Sequence, residues 1–281
     1  MKGERRLASL MLAPAVLWVL AFFAVPFAGM VALSFARMNG RTVENGLFAD
    51  NYARFWADPA IFKGLIVSLE ITATVTVISI LLAYPLAWII AMRVPDRWQR
   101  LALLLAVLPF WTSYVVRSYS WLLVLGQKGV VNNALMGAGI IAEPLALSAS
   151  RTATVIGFVH FFVMLLTLTI YANLRQLPPN YARAAADLGA GPVRIFWHII
   201  LPLTRPGIVT GAFLTFVLCI GDYITPQILG GNNELTLPQI IMMQMGRQGN
   251  FPMAAALSMV LMGTVLLAYL ACARWLRLDR I

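Results

Sequence analysis

The chain is 281 residues long, 60% of them hydrophobic and 11% charged, with a mean hydropathy of +0.81. Ordinary soluble domains are about 45–50% apolar and roughly 25% charged, so a water-soluble globule is excluded. The net charge of +10 does not point to nucleic acid, because the basic residues stand singly between apolar runs and form no stripe or patch.

Crossing a hydrocarbon core of ~30 Å takes about 20 apolar residues. Six runs qualify: Leu10 to Phe35, Gly64 to Met92, Leu101 to Ser120, Thr152 to Asn173, Pro206 to Leu229 and Met253 to Leu276. The pattern predicts an all-α, polytopic membrane protein with six transmembrane helices, a single transmembrane domain over residues 1–281. The first run follows Lys2-Gly3-Glu4-Arg5-Arg6 and is too long for a signal-peptide core, so it is expected to stay as an anchor. Pro14, Pro26, Pro85, Pro109 and Pro226 lie inside the runs, where neighbouring helices re-satisfy the freed backbone groups. Cys219 and Cys272 sit in apolar runs without disulfide or metal spacing.

The distribution of Lys and Arg sets orientation. With the N-terminus cytoplasmic, that side holds Lys2, Arg5, Arg6, Arg93, Arg97, Arg100, Arg175, Arg183, Arg194, Arg205, Arg274, Arg277 and Arg280. The other side holds Arg37, Arg41, Arg54, Lys63, Arg117, Lys128, Arg151 and Arg247, largely offset by Glu44, Asp50, Asp58, Glu143 and Glu234. Both termini are expected inside.

Between the fourth and fifth runs lies an inner segment, residues 174–205, too long for a connection without structure of its own. Pro178-Pro179 stops the preceding helix, Asn180 is a good N-cap, and Tyr181 to Leu188 forms an Ala-rich helix ended by Gly189. Gly191-Pro192 opens a second short helix that runs to about Ile200 before Pro202 closes it. Leu188, Ile195, Phe196 and Trp197 give the bent pair apolar surface for a groove on another protein.

Ala184-Ala185, Gly189 and Ile199-x-Leu201-Pro202 resemble the signature loop of binding-protein-dependent ABC importer permeases, which reads Glu-Ala-Ala, three residues, Gly, nine residues, Ile-x-Leu-Pro. Arg183 stands where that family usually carries Glu. The similarity extends to the spermidine/putrescine-type branch through Asn51-Tyr52-x-x-Phe55, Tyr84-Pro85-Leu86-Ala87-Trp88, Leu108-Pro109-Phe110-Trp111-Thr112-Ser113, Arg117-Ser118-Tyr119-Ser120-Trp121, Gly129 to Asn133, Asp187-Leu188-Gly189-Ala190 and Gly221 to Gly231. The resemblance implies a type I ABC importer permease fold in a bacterial inner membrane. It also implies a complex with a second homologous permease, two ABC ATPases and an extracytoplasmic solute-binding protein. Arg183, Ala184, Ala185, Asp187, Gly189, Ile199, Leu201 and Pro202 would then couple the chain to the ATPases. The branch imports polyamines and other small organic molecules.

No Gly-x-x-x-x-Gly-Lys-Ser/Thr loop occurs, so ATP and Mg belong to a partner and this chain needs no cofactor of its own. His-Glu-x-x-His and Gly-x-Ser-x-Gly are also missing, so no catalytic residue and no enzyme is expected. His160 and His198 have no second ligand at metal spacing and are read as packing or hydrogen-bonding residues. A non-transporting scaffold would explain the helices but not the inner loop.

Intramembrane carboxylates are functional candidates by default. Glu70 and Asp222 fall at similar depths from the outer side, ~9 and ~12 Å along their helices, and Arg117 falls in the same outer third. Two readings stand. In one, Asp222 and Glu70 line the substrate path with Tyr223, Trp111 and Tyr119 offering cation-π contacts, and Gly221 and Pro226 open the fifth helix beside Asp222. In the other, the acids pair internally with Arg117.

Overall fold

The computed structural model describes the backbone of residues 2–40, 42–231 and 234–276 and the side chains of 11–40, 42–231 and 234–273. Arg41, Arg277 and Arg280, used above for orientation, lie outside the described residues, as do the side chains of Lys2, Arg5, Arg6 and Arg274. In chain order, α1 (Lys2–Val19) passes through a π turn (Leu20–Ala24) into α2 (Val25–Ser34), followed by β1 (Arg37–Asn39), β2 (Thr42–Glu44), α3 (Asp50–Ala57) and α4 (Pro59–Met92). Next come α5 (Asp96–Val107), a 3-10 turn (Leu108–Trp111), α6 (Tyr114–Val124), α7 (Val130–Gly137), α8 (Arg151–Arg175) and α9 (Asn180–Asp187). The chain ends with α10 (Pro192–Ile195), a π turn (Phe196–Ile200), α11 (Leu201–Ile220), α12 (Ile224–Leu229), α13 (Leu237–Gly246) and α14 (Phe251–Leu276).

Among the described residues five helices are long and apolar enough to cross a membrane: Met11–Ser34, Pro59–Met92, Arg151–Arg175, Pro192–Ile220 and Phe251–Ala273. The sixth expected span is a bent pair, Asp96–Trp111 and Tyr114–Val124, turned by 89°. Five of the expected runs are therefore carried by one long helix each and the third by a broken pair, and the fifth run, Pro206 to Leu229, also breaks beyond Ile220.

Both π turns stand two residues before a proline, Pro26 and Pro202, and in each the residue preceding the proline donates five positions back, Val25 N to Leu20 O and Leu201 N to Phe196 O. Proline removes one helical donor and pushes against the carbonyl four residues earlier. The wider turn moves that carbonyl aside and lets the helix continue. Pro202 therefore does not close the inner helix pair as expected: its second helix runs on without interruption into the fifth span, Pro192–Ile220. The helix before it begins at Asn180, so Pro179 and not Asn180 is the N-cap.

The chain divides into two compact units, Met1–Lys63 with Ile240–Gly263, and Gly64–Gln239 with Thr264–Ile281. In the first, β1 and β2 form an antiparallel hairpin with Arg37 opposite Glu44, their side chains 2.9 Å apart. Asn51 ties α3 to the end of the first span by donating to Ser34 O (3.0 Å) and Ala36 O (2.7 Å). Leu17, Trp18, Phe22 and Phe23 of that span are more than half exposed, a surface for the bilayer to cover.

The second unit is built around α8. Ala83, Tyr84, Ala87 and Ala91 of α4 pack against Leu166, Ile170 and Leu174 of α8, each set at helical spacing. Farther along, Val67, Ile71 and Val75 meet Phe158 and Phe162. Small residues let α8 and α11 approach closely, which is how helices associate where no water drives them together. A β-carbon on Gly211 would lie 2.6 Å from Leu166 Cδ2, and one on Gly207 2.6 Å from Asn173 Cγ. Gly211→Val is expected to cost ~1–3 kcal/mol by overpacking. Gly263→Ala, with open space around the position, serves as the control. Thermal unfolding in detergent checks this, and equal midpoints for the two variants would contradict the close approach.

Candidate functional site

Two features stand out: a helical knob between the fourth and fifth spans, and a meeting of two helix breaks in the third and fifth.

The knob follows from its sequence. After Asp187 the C-cap residue is Leu188, and Gly189 takes a φ of +82°, a left-handed conformation that side chains with a β-carbon resist. Ala190 N donates to Ala185 O (3.0 Å) and Gly189 N to Ala186 O (2.9 Å), the paired bonds of a Schellman motif. The Ala-Ala, three residues, Gly spacing is thus the spacing of a helix and its stop. Gly191 then caps α10 with Pro192 at its first position.

On the knob's surface Leu188 is 89% exposed, with Val193, Trp197 and Tyr181 also exposed. Phe196, expected on that surface, instead faces inward, edge-on to Tyr84 (5.8 Å) and Trp88 (6.4 Å). Arg183, Ala184, Asp187 and Gly189 are exposed and Ala185 is half-buried. Ile199, Leu201 and Pro202 are half-buried at the root, where Leu201 packs on the α4–α8 core. The signature residues therefore divide into a tip that faces outward and a root that anchors it.

The second feature lies where the third span bends. Thr112 Oγ1 returns to Pro109 O at 2.7 Å, and α6 restarts at Tyr114 against α12. The fifth span breaks opposite it, between Ile220 and Ile224. Asp222 Oδ1 accepts the Ile224 N–H at 2.7 Å and Oδ2 accepts from Thr225 Oγ1 at 3.1 Å, so the carboxylate satisfies the first N–H of α12 through an Asx turn one residue ahead of the N-cap Tyr223. The Tyr114 hydroxyl donates to the same Oδ2 and also meets Thr225 Oγ1.

Arg117, one turn beyond Tyr114, is buried at 8% exposure. Its guanidinium lies over the rings of Phe161 (5.1 Å) and Tyr114 (5.7 Å). Among the described residues only Nη2 reaches an acceptor, Thr112 O at 3.4 Å, and Nε and Nη1 have none. Ring faces offset part of the cost of burying this charge.

The internal pairing of both acids with Arg117 is not what the structure contains. Glu70 is bridged to Arg151 at 2.7 Å, whose other nitrogen lies 3.8 Å from Glu234, all partly exposed. Asp222 is bonded to Tyr114 and not to Arg117. The expected depth of Asp222 assumed a continuous helix, whereas the residue sits in the break itself. Trp111, Tyr119 and Tyr223 are exposed at 88%, 54% and 38% and do not close on Arg117. Tyr114, Thr225 and Phe161 were missed. Asp222 two residues before Ile224, an Asx-turn spacing ahead of a helix start, and Tyr114 three residues before Arg117 are the available signals. His160 Nδ1 accepts from Trp121 Nε1 at 3.0 Å.

Several long apolar helices, paired helix breaks in the third and fifth, and a helical knob between the fourth and fifth are the build of a transporter's membrane subunit. Residues 77–273 match the binding-protein-dependent transport system inner membrane component family, and the chain belongs to that family. It is thus the non-catalytic inner-membrane permease component of an ABC importer, which works with an ATPase and a periplasmic binding protein. The spermidine/putrescine transport system permease protein PotB of Salmonella typhimurium (strain SL1344) is 31% identical over 280 residues, 98% of this chain and 97% of that protein. The inner membrane ABC transporter permease protein YdcU of Escherichia coli (strain K12) is 34% identical over 216 residues, 72% of this chain and 68% of its own length. Among solved structures, a bacterial ABC transporter involved in the import of the acidic polysaccharide alginate matches with a TM-score of 0.78 at 15% identity, covering 99% of this chain and 98% of that one.

The Asx turn at Asp222 makes a measurable expectation. Asp222→Ala leaves the Ile224 N–H without its acceptor and should lower stability by ~0.5–2 kcal/mol, whereas Asp222→Asn keeps an oxygen for that bond. Thermal unfolding in detergent separates them, and equal loss in both variants would rule out the turn.

Proposed function

We propose that this permease imports a polyamine of the spermidine/putrescine kind or a related small organic cation, delivered by a solute-binding protein. The full-length similarity to a spermidine/putrescine permease at 31% identity carries the reading. The break lined by Asp222, Tyr114 and Arg117 is its substrate path, with Tyr223, Trp111 and Tyr119 as aromatic contacts and Glu70 at the outer approach. The space beside Asp222 within one chain is about 10 Å³, barely enough for a water. A second homologous permease completes the path in this reading, and both termini face the cytoplasm, where the basic segments lie.

The knob from Arg183 to Pro202 docks on an ATPase that holds the ATP and Mg. Its exposed Leu188, Val193, Trp197 and Tyr181 suit a groove on that partner. A second substrate reading has its own support: the two guanidinium nitrogens of Arg117 without acceptors suit a solute that also bears a carboxylate, such as an amino acid derivative.

Binding of putrescine, spermidine, amino acid derivatives and sugars to the partner solute-binding protein, followed by uptake in vesicles, decides the substrate. Polyamine uptake is expected to fall in Asp222→Asn and to be unaffected in Arg117→Gln. Preference for an amino acid derivative, lost in Arg117→Gln, would replace the polyamine reading.

For coupling, Gly189→Pro cannot adopt the φ of +82°, and Ala185→Asp places a charge at the half-buried side of the knob. Both should abolish uptake and reduce ATPase co-purification while the chain still inserts. Unimpaired uptake by an inserted Ala185→Asp complex would overturn this role.

A further inference from the structure

A cavity of about 510 Å³ lies behind the knob, among α9, the Leu177–Pro179 approach, the ends of α4 and α8, and the root of the fifth span. Its volume is that of a small-molecule site. The wall is mostly apolar, formed by residues such as Leu174, Leu177, Ile199 and Leu203, and two arginines, Arg175 and Arg183, belong to the same lining. No acidic residue lines it.

The Arg183 side chain makes no ion pair or hydrogen bond among the described residues. Arg175 reaches Asp96 at 3.3 Å, but that pair is largely exposed, and solvated pairs of this kind hold weakly. Two like charges on one lining call for an anion. A soluble anion would answer the charges and leave the apolar wall wet, and an apolar protein segment would do the reverse. An amphipathic anion answers both.

We propose that the occupant is an anionic phospholipid of the inner leaflet. Its phosphate would be held by Arg183 and Arg175, with the start of an acyl chain against Leu174, Leu177 and Ile199. The inference rests on the reading that the knob lies at the cytoplasmic surface. Basic pockets between spanning helices at that surface are where anionic headgroups bind, and the helices bounding this cavity end there. A lipid so placed lies between the knob and three spans, and makes coupling sensitive to membrane charge. An acid at position 183 would repel the phosphate, so Arg183 makes this a property of the present chain.

The test uses the complete permease–ATPase complex. Native mass spectrometry from nanodiscs containing phosphatidylglycerol should show lipid retained by the wild type. In the Arg175→Gln/Arg183→Gln double variant retention should be at least about tenfold weaker, the scale of one lost charge-assisted hydrogen bond. Arg97→Gln, a basic inner position outside the cavity lining, should retain it. In vesicles, solute moved per ATP should rise when phosphatidylglycerol is added to phosphatidylcholine, and that rise should vanish in the double variant.

Equal retention in all proteins, or transport indifferent to lipid charge, would overturn the proposal. Displacement by excess glycerol phosphate would overturn it in favour of a soluble anion, and displacement by ATPase docking would assign the cavity to that partner. If no ATPase binds the wild type, the functional reading fails instead, and lipid retention by the permease alone still scores the cavity.

Discussion

Everything in this fold answers to one constraint: inside a bilayer each backbone N–H and C=O must find a partner within the protein. The straight spans meet it by helical bonding alone. The broken ones meet it with side chains, Thr112 at the bend of the third span and Asp222 at the break of the fifth. A carboxylate is an expensive group within a membrane segment, yet Asp222 collects three donors, one from its own backbone neighbour and two from hydroxyls. Its place in the structure is first that of an Asx turn ahead of a helix, and any contact with a solute is superimposed on that duty. Arg117 is in the opposite condition, held by ring faces and one long bond, with donors to spare. Across the paired breaks the unsatisfied chemistry is therefore cationic and the satisfied chemistry anionic.

How much of this the sequence disclosed depended on whether the signal was local. The knob was legible because its stop is a glycine in a left-handed conformation after an alanine-rich turn, and chirality alone makes that position selective. The six apolar runs were legible because bilayer thickness sets their length. The bend of the third span was not, since Pro109 resembles Pro85, and Pro85 lies within an unbroken 34-residue helix. A proline in an apolar run permits a break without requiring one. Whether the helix breaks is settled by the neighbours that accept the freed groups, and Tyr114, Thr225 and Phe161 come from three separate segments. Nor did the sequence disclose the partner of Glu70, because Arg151 lies 81 positions away. Depth along a helix ranked Glu70 with Asp222 and Arg117, but the direction in which a side chain points depends on packing.

The most consequential departure concerns Pro202. As a helix stop it would have made the knob a hinged appendage. Because the π turn at Phe196–Ile200 moves the obstructing carbonyl aside, the second half of the knob and the fifth span form one continuous helix of 29 residues, Pro192–Ile220. At 1.5 Å per residue that is a rod of ~40 Å, with the exposed Val193 and Trp197 at one end and the break at Gly221 to Tyr223 at the other. Its root is pinned to α4 and α8 through Phe196, Leu201 and the Tyr84–Thr204 contact of 3.1 Å. A packed rod held near one end transmits displacement by rotation about that hold, since close-packed helices shift between discrete arrangements and do not deform smoothly. Motion imposed at the knob would then reach Asp222 with no flexible joint in between. The break beyond Ile220 is the first place along the rod where such motion can be absorbed, and there the Asp222 carboxylate, the Tyr114 hydroxyl and the donors of Arg117 stand ready to exchange partners.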